Sequence, residues 1–261
     1  MPSGILAEMT QQEVASFAPE VVVLGIGSTE PHGPILPYGT DYFQCDALCR
    51  RAVAYANERR ARVLMYPTLP VGNNVNVKAF PFACRIGVRT LMCVVLDILA
   101  ALEEDGIRKV VIVNGHGGNT DALRAALREH FDRTPRERRA FVCLTTGLPS
   151  PQVQVPPTKP SPHGGEAETS RMMYLRPDLV RSDCLQDLPL GVPSFELPPA
   201  ERLYFVHPWH CVVPLGGGGD TRAASADKGR AILEGTAEGL GEFLIRLSRE
   251  PWHPDFPYAP R

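Results

Sequence analysis

The side chains of this sequence that could do chemistry gather in four short stretches. Residues 27–41, reading GSTEPHGPILPYGTD, place Glu30, His32 and Asp41 in one Gly- and Pro-rich segment. Carboxylate oxygens and imidazole nitrogens together suit Zn²⁺, Mn²⁺ or Fe²⁺. The competing reading is a polar loop whose Asp41 caps the next helix. A second stretch, Asn114-Gly115-His116-Gly117-Gly118-Asn119, sets one imidazole among glycines that let backbone or substrate approach closely. A third, HGGEAETS at residues 163–170, offers His163, Glu166 and Glu168. The fourth is Gly219-Asp220, a turn leading into a helix.

These stretches converge only if the intervening elements carry them to one edge. The apolar run Val21 to Ile26 reads as a buried strand, so the first loop leaves the sheet at its carboxyl end, where open α/β sheets bind ligands. Lys109 to Val113 is a β-branched run that reads as a central parallel strand and delivers His116 to the same edge. Strands are also expected over 62–67 and 140–144. Helices are expected over 41–57, 90–105, 120–131, 166–175 and 223–248, with Gly106 ending the second and Thr10 capping a short N-terminal one. Such alternation predicts an α/β chain with a doubly wound, mostly parallel sheet. With no repeat and no clear boundary, residues 1–261 read as a single domain. Residues 71–86 read as a functional loop, and 148–162 and 185–209 as Pro-rich, surface-lying insertions fit for a lid or a subunit contact.

Composition narrows the function classes. A net charge of -2 over 261 residues offers no basic face for nucleic acid. Seven cysteines without a CxxC pair read as buried free thiols rather than a disulfide framework. No signal-peptide order and no membrane-length apolar stretch is present, so a soluble, cytoplasmic protein is expected. Residues 216–219 are all glycine but lack the strand–GxGxxG–helix context, which argues against a nucleotide site. His130 falls late in a helix and reads as a surface group favoured by the helix dipole. His207, Trp209 and His210 cluster around Pro208 as pocket lining or a subunit contact, and Trp252 and His253 as surface packing.

Together the four stretches resemble the creatininase (creatinine amidohydrolase) family. GSTEPHGPILPYGTD resembles G-S-x-E-x-H-G-x-H-L-P-x-x-T-D, and VNGHGGN is similar to the family's second motif. HGGEAETS resembles H-A-G-x-x-E-T-S, and GGGGDTRAASADKG resembles G-D-P-x-x-A-x-x-x-K-G, all in family order. The resemblance implies a three-layer α/β/α fold and two divalent metal ions per subunit, of Zn, Mn or Fe. Glu30, His32, Asp41 and His116 match its metal-binding positions, with Asp41 bridging. The further carboxylate that creatininase carries two residues after the second-motif histidine is Gly118 here, which leaves Glu168 as the fifth ligand.

That constellation implies a metal-activated water cleaving a C–N bond, with His163, or as second candidate Glu166, delivering a proton to the leaving nitrogen; the competing reading of His163 is a loop histidine satisfied by backbone. Asn114 and Asn119 would orient neighbours or a substrate carbonyl, or simply shape a turn. Arg85 would face a substrate carboxylate, or stand solvated. Ile35 in place of a second histidine, and Phe80-Pro81-Phe82-Ala83-Cys84-Arg85 in place of F-P-G-T, point away from creatinine itself. The expected substrate is a cyclic amide, formamide or related small molecule. The alternatives are trimming of a ribosomally made cofactor-precursor peptide, or a catalytically silent metal-binding homologue. Family assembly implies a homo-oligomer, up to a hexamer.

Overall fold

The fold described here is that of a computed structural model covering residues 3–154, 158–198 and 202–259. In chain order the elements are α1 (Gln11–Phe17), β1 (Val21–Ile26), α2 (Thr40–Glu58), β2 (Val63–Leu69), α3 (Val88–Glu104), β3 (Lys109–Asn114), α4 (Thr120–Arg133), β4 (Phe141–Thr145), α5 (Glu166–Leu175), β5 (Asp187–Leu188), α6 (Trp209–Val212), β6 (Gly219–Asp220) and α7 (Ala226–Arg249). The main sheet runs β2-β1-β3-β4, parallel throughout. Val22 pairs with Leu64 on one side and Val110 on the other. β1 and β3 are buried at every position. That is the signature of parallel strands covered on both faces, and it explains their continuous apolar runs.

Side chains alternate along a strand, so the two faces carry different residues. Val21, Val23, Val63, Met65, Val111 and Val113 meet Cys45, Leu48 and Val53 of α2 and Leu233, Leu240 and Leu244 of α7. Val22, Leu24, Ile26, Val110 and Ile112 meet Leu91, Val95 and Leu99 of α3 and Ala122, Leu123 and Ala126 of α4. The result is the three-layer α/β/α arrangement. α5 packs outside the sheet on α7, where Gly229 has no room for a side chain: a Cβ there would lie 1.9 Å from the Ser170 carbonyl oxygen. α1 begins with a full capping box, in which the Thr10 hydroxyl accepts from the Glu13 amide and the Glu13 carboxylate accepts from the Thr10 amide.

Strand order reverses direction between β1 and β3, since β2 lies on one side of β1 while β3 and β4 lie on the other. The crevice at their carboxyl ends is therefore the topological switch point where such sheets take ligands. A small antiparallel pair, β5 with β6, stands beside it, and an isolated bridge joins His163 to Gly218.

Some expectations are corrected. His130 is not a surface group: it is 5% exposed, and its Nε2 donates to Glu103 Oε1 at 2.8 Å. The same carboxylate oxygen accepts from the Ala140 amide. All seven cysteines are free, but only Cys45 and Cys49 are buried, while Cys84, Cys93 and Cys211 are exposed. The first Pro-rich insertion is partly inward, with Ser150 buried and its amide donating to the Gly235 carbonyl of α7. Pro156 and Pro157 of that insertion, and 199–201 of the second, lie outside the described residues. No helix among the described residues is long and apolar enough to cross a membrane.

Candidate metal centre

The loop after β1 is held in shape before any ligand enters. Gly27 donates to the Leu69 carbonyl, the Ser28 hydroxyl to Asn74 Oδ1, and the Glu30 amide to the Tyr38 carbonyl. Gly27 must be glycine, because a Cβ there would come within 2.7 Å of Tyr42 Cα. The loop thereby buries Glu30 at 2% exposure and His32 at 0%, and α2 presents Asp41, 6% exposed, from its first turn. From β3 comes His116, carried on the Gly115–Gly117 turn.

Both imidazoles are oriented by backbone carbonyls, which can only accept. His32 Nδ1 donates to the Glu30 carbonyl at 3.0 Å, so its Nε2 faces Asp41 Oδ1 at 3.2 Å and Glu168 Oε2 at 3.8 Å. His116 Nε2 donates to the Asn73 carbonyl at 3.2 Å, so its Nδ1 faces Glu30 Oε1 and Asp41 Oδ2, each at 3.1 Å. Asp41 Oδ2 is buried yet lacks an aligned hydrogen-bond partner. Each imidazole thus turns its inner nitrogen towards two carboxylates, and a proton or a cation must sit between them.

Ligand atoms of Glu30, Asp41 and His116 lie within 4.8 Å of one another, as do those of His32, Asp41 and Glu168. Asp41 belongs to both groups and gives one oxygen to each, the disposition of a carboxylate shared by two ions. The donor set, three carboxylates and two imidazoles, fits divalent transition metals. A third grouping, Glu30 with His32 and His163, overlaps these two.

Without a cation, protons take its place. Burial alone would lower the His32 pKa, but Asp41, Glu168 and Glu30 carry it up to about 9. Burial likewise opposes charge at His116, and Asp41 and Glu30 raise it to about 10. Asp41 would be raised by burial, yet His32 and His116 hold it far below the usual carboxylate range.

His163 behaves differently. Its Nε2 donates to the Pro31 carbonyl at 2.7 Å, its ring lies 4.1 Å from that of His32, and Trp209 meets it edge-on at 5.3 Å. Burial and the charge of His32 depress its pKa. It opens onto a cleft of about 540 Å³ whose floor includes Glu30, Asp41, His116 and Glu168. Val75, Val77 and Val88 form one wall and Tyr204, Phe205, Val206 and Trp209 another, with the Tyr204 hydroxyl donating to Asp121.

Other candidate residues are placed elsewhere. Glu166 is buried against Lys228 Nζ and the Lys159 amide, which hold its pKa down, and it does not reach the cleft. Asn119 spends its amide on the Gly27 carbonyl, the Asn73 amide and Asn114, while Asn114 Oδ1 accepts from the His116 amide. Both are braces of the ligand loops rather than cleft groups. Arg85 is exposed and does not line the cleft, as in the solvated reading. Asp220 pairs with Lys159 and Arg222. Gly118 cannot host the additional carboxylate, since a Cβ there would lie 2.4 Å from both the Asn73 carbonyl oxygen and His116 Nε2. Asn73 escaped the sequence reading because its contribution is a carbonyl, which carries no side-chain mark. Only the length of the 71–86 loop pointed to it.

A doubly wound α/β sheet with carboxylates and imidazoles convergent at its switch point is an arrangement able to hold divalent metal. A family model described as creatininase, creatinine amidohydrolase, matches residues 7–244, and the chain belongs to the creatininase family. It is 30% identical over 257 residues to a mycofactocin precursor peptide peptidase of Mycobacterium ulcerans (strain Agy99), covering 96% of this chain and 92% of that protein. It is 28% identical over 240 residues to the creatinine amidohydrolase of Pseudomonas putida, covering 86% and 88%. Its fold superposes on a manganese creatininase with a TM-score of 0.75 at 26% identity, over 95% of this chain and 100% of that one. A mutant creatininase of the Zn–Zn type gives 0.74 at 26%, over 96% and 100%.

Proposed function

We propose that this chain hydrolyses the C–N bond of a small cyclic amide, formamide or related molecule, with Glu30, His32, Asp41, His116 and Glu168 holding two divalent ions. The observation that carries this reading is Asp41, whose two oxygens are divided between two carboxylate–imidazole groups on the floor of the cleft. Ions held there supply Lewis acidity, polarising a carbonyl and lowering the pKa of water. The protein's own groups do the rest. The Glu30 and Asn73 carbonyls fix the two ligating imidazoles, so their inner nitrogens need no reorientation.

His163 is the proton carrier. Its Nε2–H is committed to Pro31, which leaves Nδ1 to take a proton and pass it to the departing nitrogen. An amide nitrogen needs that proton to leave. Trp209 packs edge-on against the His163 ring, which is 8% exposed.

A second reading, cleavage within a peptide, is favoured by the cleft, which at about 540 Å³ exceeds what a single small ring fills, and by its apolar walls. The catalytically silent alternative has less support, since His163 stands beside the ligand groups. A homo-oligomer also belongs to this reading, with exposed Phe82, Val192 and Phe195 as apolar surface that assembly would cover.

The test is elemental analysis per subunit together with turnover on matched panels of cyclic amides, formamides and short peptides. His163→Ala should keep about two equivalents of metal and lose at least 10²-fold in kcat. A His163→Ala protein that turns over at the original rate, or that loses its metal, refutes the assignment. Peptides outrunning small amides would select the second reading.

A further inference from the structure

A second cavity, of about 410 Å³, lies on the other side of the Gly115-His116-Gly117 turn from the catalytic cleft. Its polar end is Arg171 of α5. The Arg171 Nε donates to Gln44 Oε1, and Gln44 Nε2 in turn donates to the Glu168 carbonyl at 3.2 Å. Among the described residues no carboxylate comes within ion-pair distance of this guanidinium, and neither terminal nitrogen has a hydrogen-bond partner. A guanidinium keeps its charge in any protein and presents five donors in a flat fork. Burial acts against that charge, and Glu168 and Asp41 only partly compensate from a distance. A partly buried cation left with four idle donors in a cavity is the environment of an incoming anion.

The remainder of the lining says what else the anion carries. Leu48, Val113, Pro149 and Leu233 give an apolar wall, while Thr146 and Thr236 stand as hydroxyl groups at the rim. The volume is far larger than a bare ion requires. A single planar fork matches a carboxylate, whereas a phosphate dianion favours several cations; the other cationic group in the lining among the described residues, His116, has its ring nitrogens turned to the Asn73 carbonyl and to Glu30 and Asp41.

We propose that this cavity is a second binding site, separate from the metal centre, which takes a small carboxylate with an aliphatic tail. The carboxylate lies against the Arg171 fork and the tail against Leu48, Val113 and Leu233. The occupant touches the back of the turn that carries His116, and through Gln44 it is linked to the backbone of Glu168.

Calorimetric titration of the protein as purified with isovalerate, with 3-methylbutanol as its neutral counterpart and with inorganic phosphate tests this. One equivalent of isovalerate should bind, at least tenfold more tightly than the alcohol or phosphate. Arg171→Gln should weaken it at least tenfold with metal content unchanged. Thr236→Met, which lengthens a rim side chain and leaves Arg171 in place, should weaken it comparably. Three results would overturn the proposal. Isovalerate affinity retained in both variants places the carboxylate elsewhere, the metal centre included. Equal or tighter phosphate binding assigns a different ligand class. A change of oligomeric state in Arg171→Gln, read by light scattering, means that a neighbouring copy supplies the anion.

Discussion

Metal and protons compete for the same nitrogens, so returning Zn²⁺ to chelator-stripped protein should expel protons in a countable number. His32 at about 9 and His116 at about 10 are both charged in the metal-free protein near neutral pH. Each must become neutral to ligate. Filling both groups at about pH 7.5 should therefore release about two protons per subunit from the imidazoles, in addition to any lost by metal-bound water. Removing them costs about 2 kcal/mol at His32 and about 3 kcal/mol at His116, at about 1.4 kcal/mol per unit. Calorimetric titrations in buffers of different ionisation enthalpy count the protons from the slope of heat against that enthalpy. His116→Gln should reduce the count to about one and leave the His32, Asp41 and Glu168 group able to bind. The stability of the stripped protein follows the same pKa values. Both are raised above the unfolded value, so their stabilisation is complete below about pH 6.5 and is lost as pH rises through 9 and 10. Melting of the stripped protein should fall across that window, and melting of the loaded protein should not show that loss. Metal uptake without proton release would refute the placement of both imidazoles between carboxylates.

Further outcomes follow from single contacts. Asp41→Ala should abolish stoichiometric binding of both ions in elemental analysis, because the two groups share that side chain; full metal content would end the two-ion assignment. Gly118→Ala should destabilise by about 1–3 kcal/mol and reduce metal content, since the new methyl meets His116 and the Asn73 carbonyl. Denaturant midpoints and metal counts read the two effects separately. Glu103→Leu strands the Ala140 amide and His130 together and should cost about 3 kcal/mol with metal content intact, visible as a lower melting temperature.

Much of the architecture was legible because its signals are local. The unbroken apolar runs of β1 and β3 fixed which strands are central, and the residues immediately after them had to emerge at one edge. Glu30, His32 and Asp41 sit within one loop and its following helix turn, so their spacing was informative by itself. Several of the differences involve partners far along the chain. His130 was taken as a surface group because its partner, Glu103, lies 27 residues away on another helix. Glu166 was drawn from the site by Lys228, which is 62 residues away. Asn119 left three roles open, orienting neighbours, meeting a substrate carbonyl or shaping a turn, and the first is decided only by Gly27, Asn73 and Asn114, which lie at or beyond the carboxyl ends of three different strands. Arg171 had no visible role, since a cavity assembled from α2, α5, α7 and two strand-end loops leaves no mark in any one of them.

Asn119 also separates two kinds of change that this protein can absorb. By joining Gly27, Asn73 and Asn114, it ties the loops after β1, β2 and β3 into one framework that carries Glu30, His32 and His116. The Tyr204–Trp209 wall is outside that framework, attached through the Trp209 amide to the Asn76 carbonyl and through Tyr204 to Asp121. Substitutions in that wall should therefore alter the cleft while leaving the Asn119 contacts in place. A library confined to 204–207 would sample new substrates on an unaltered reaction centre, which makes the fold a receptive chassis for redesign.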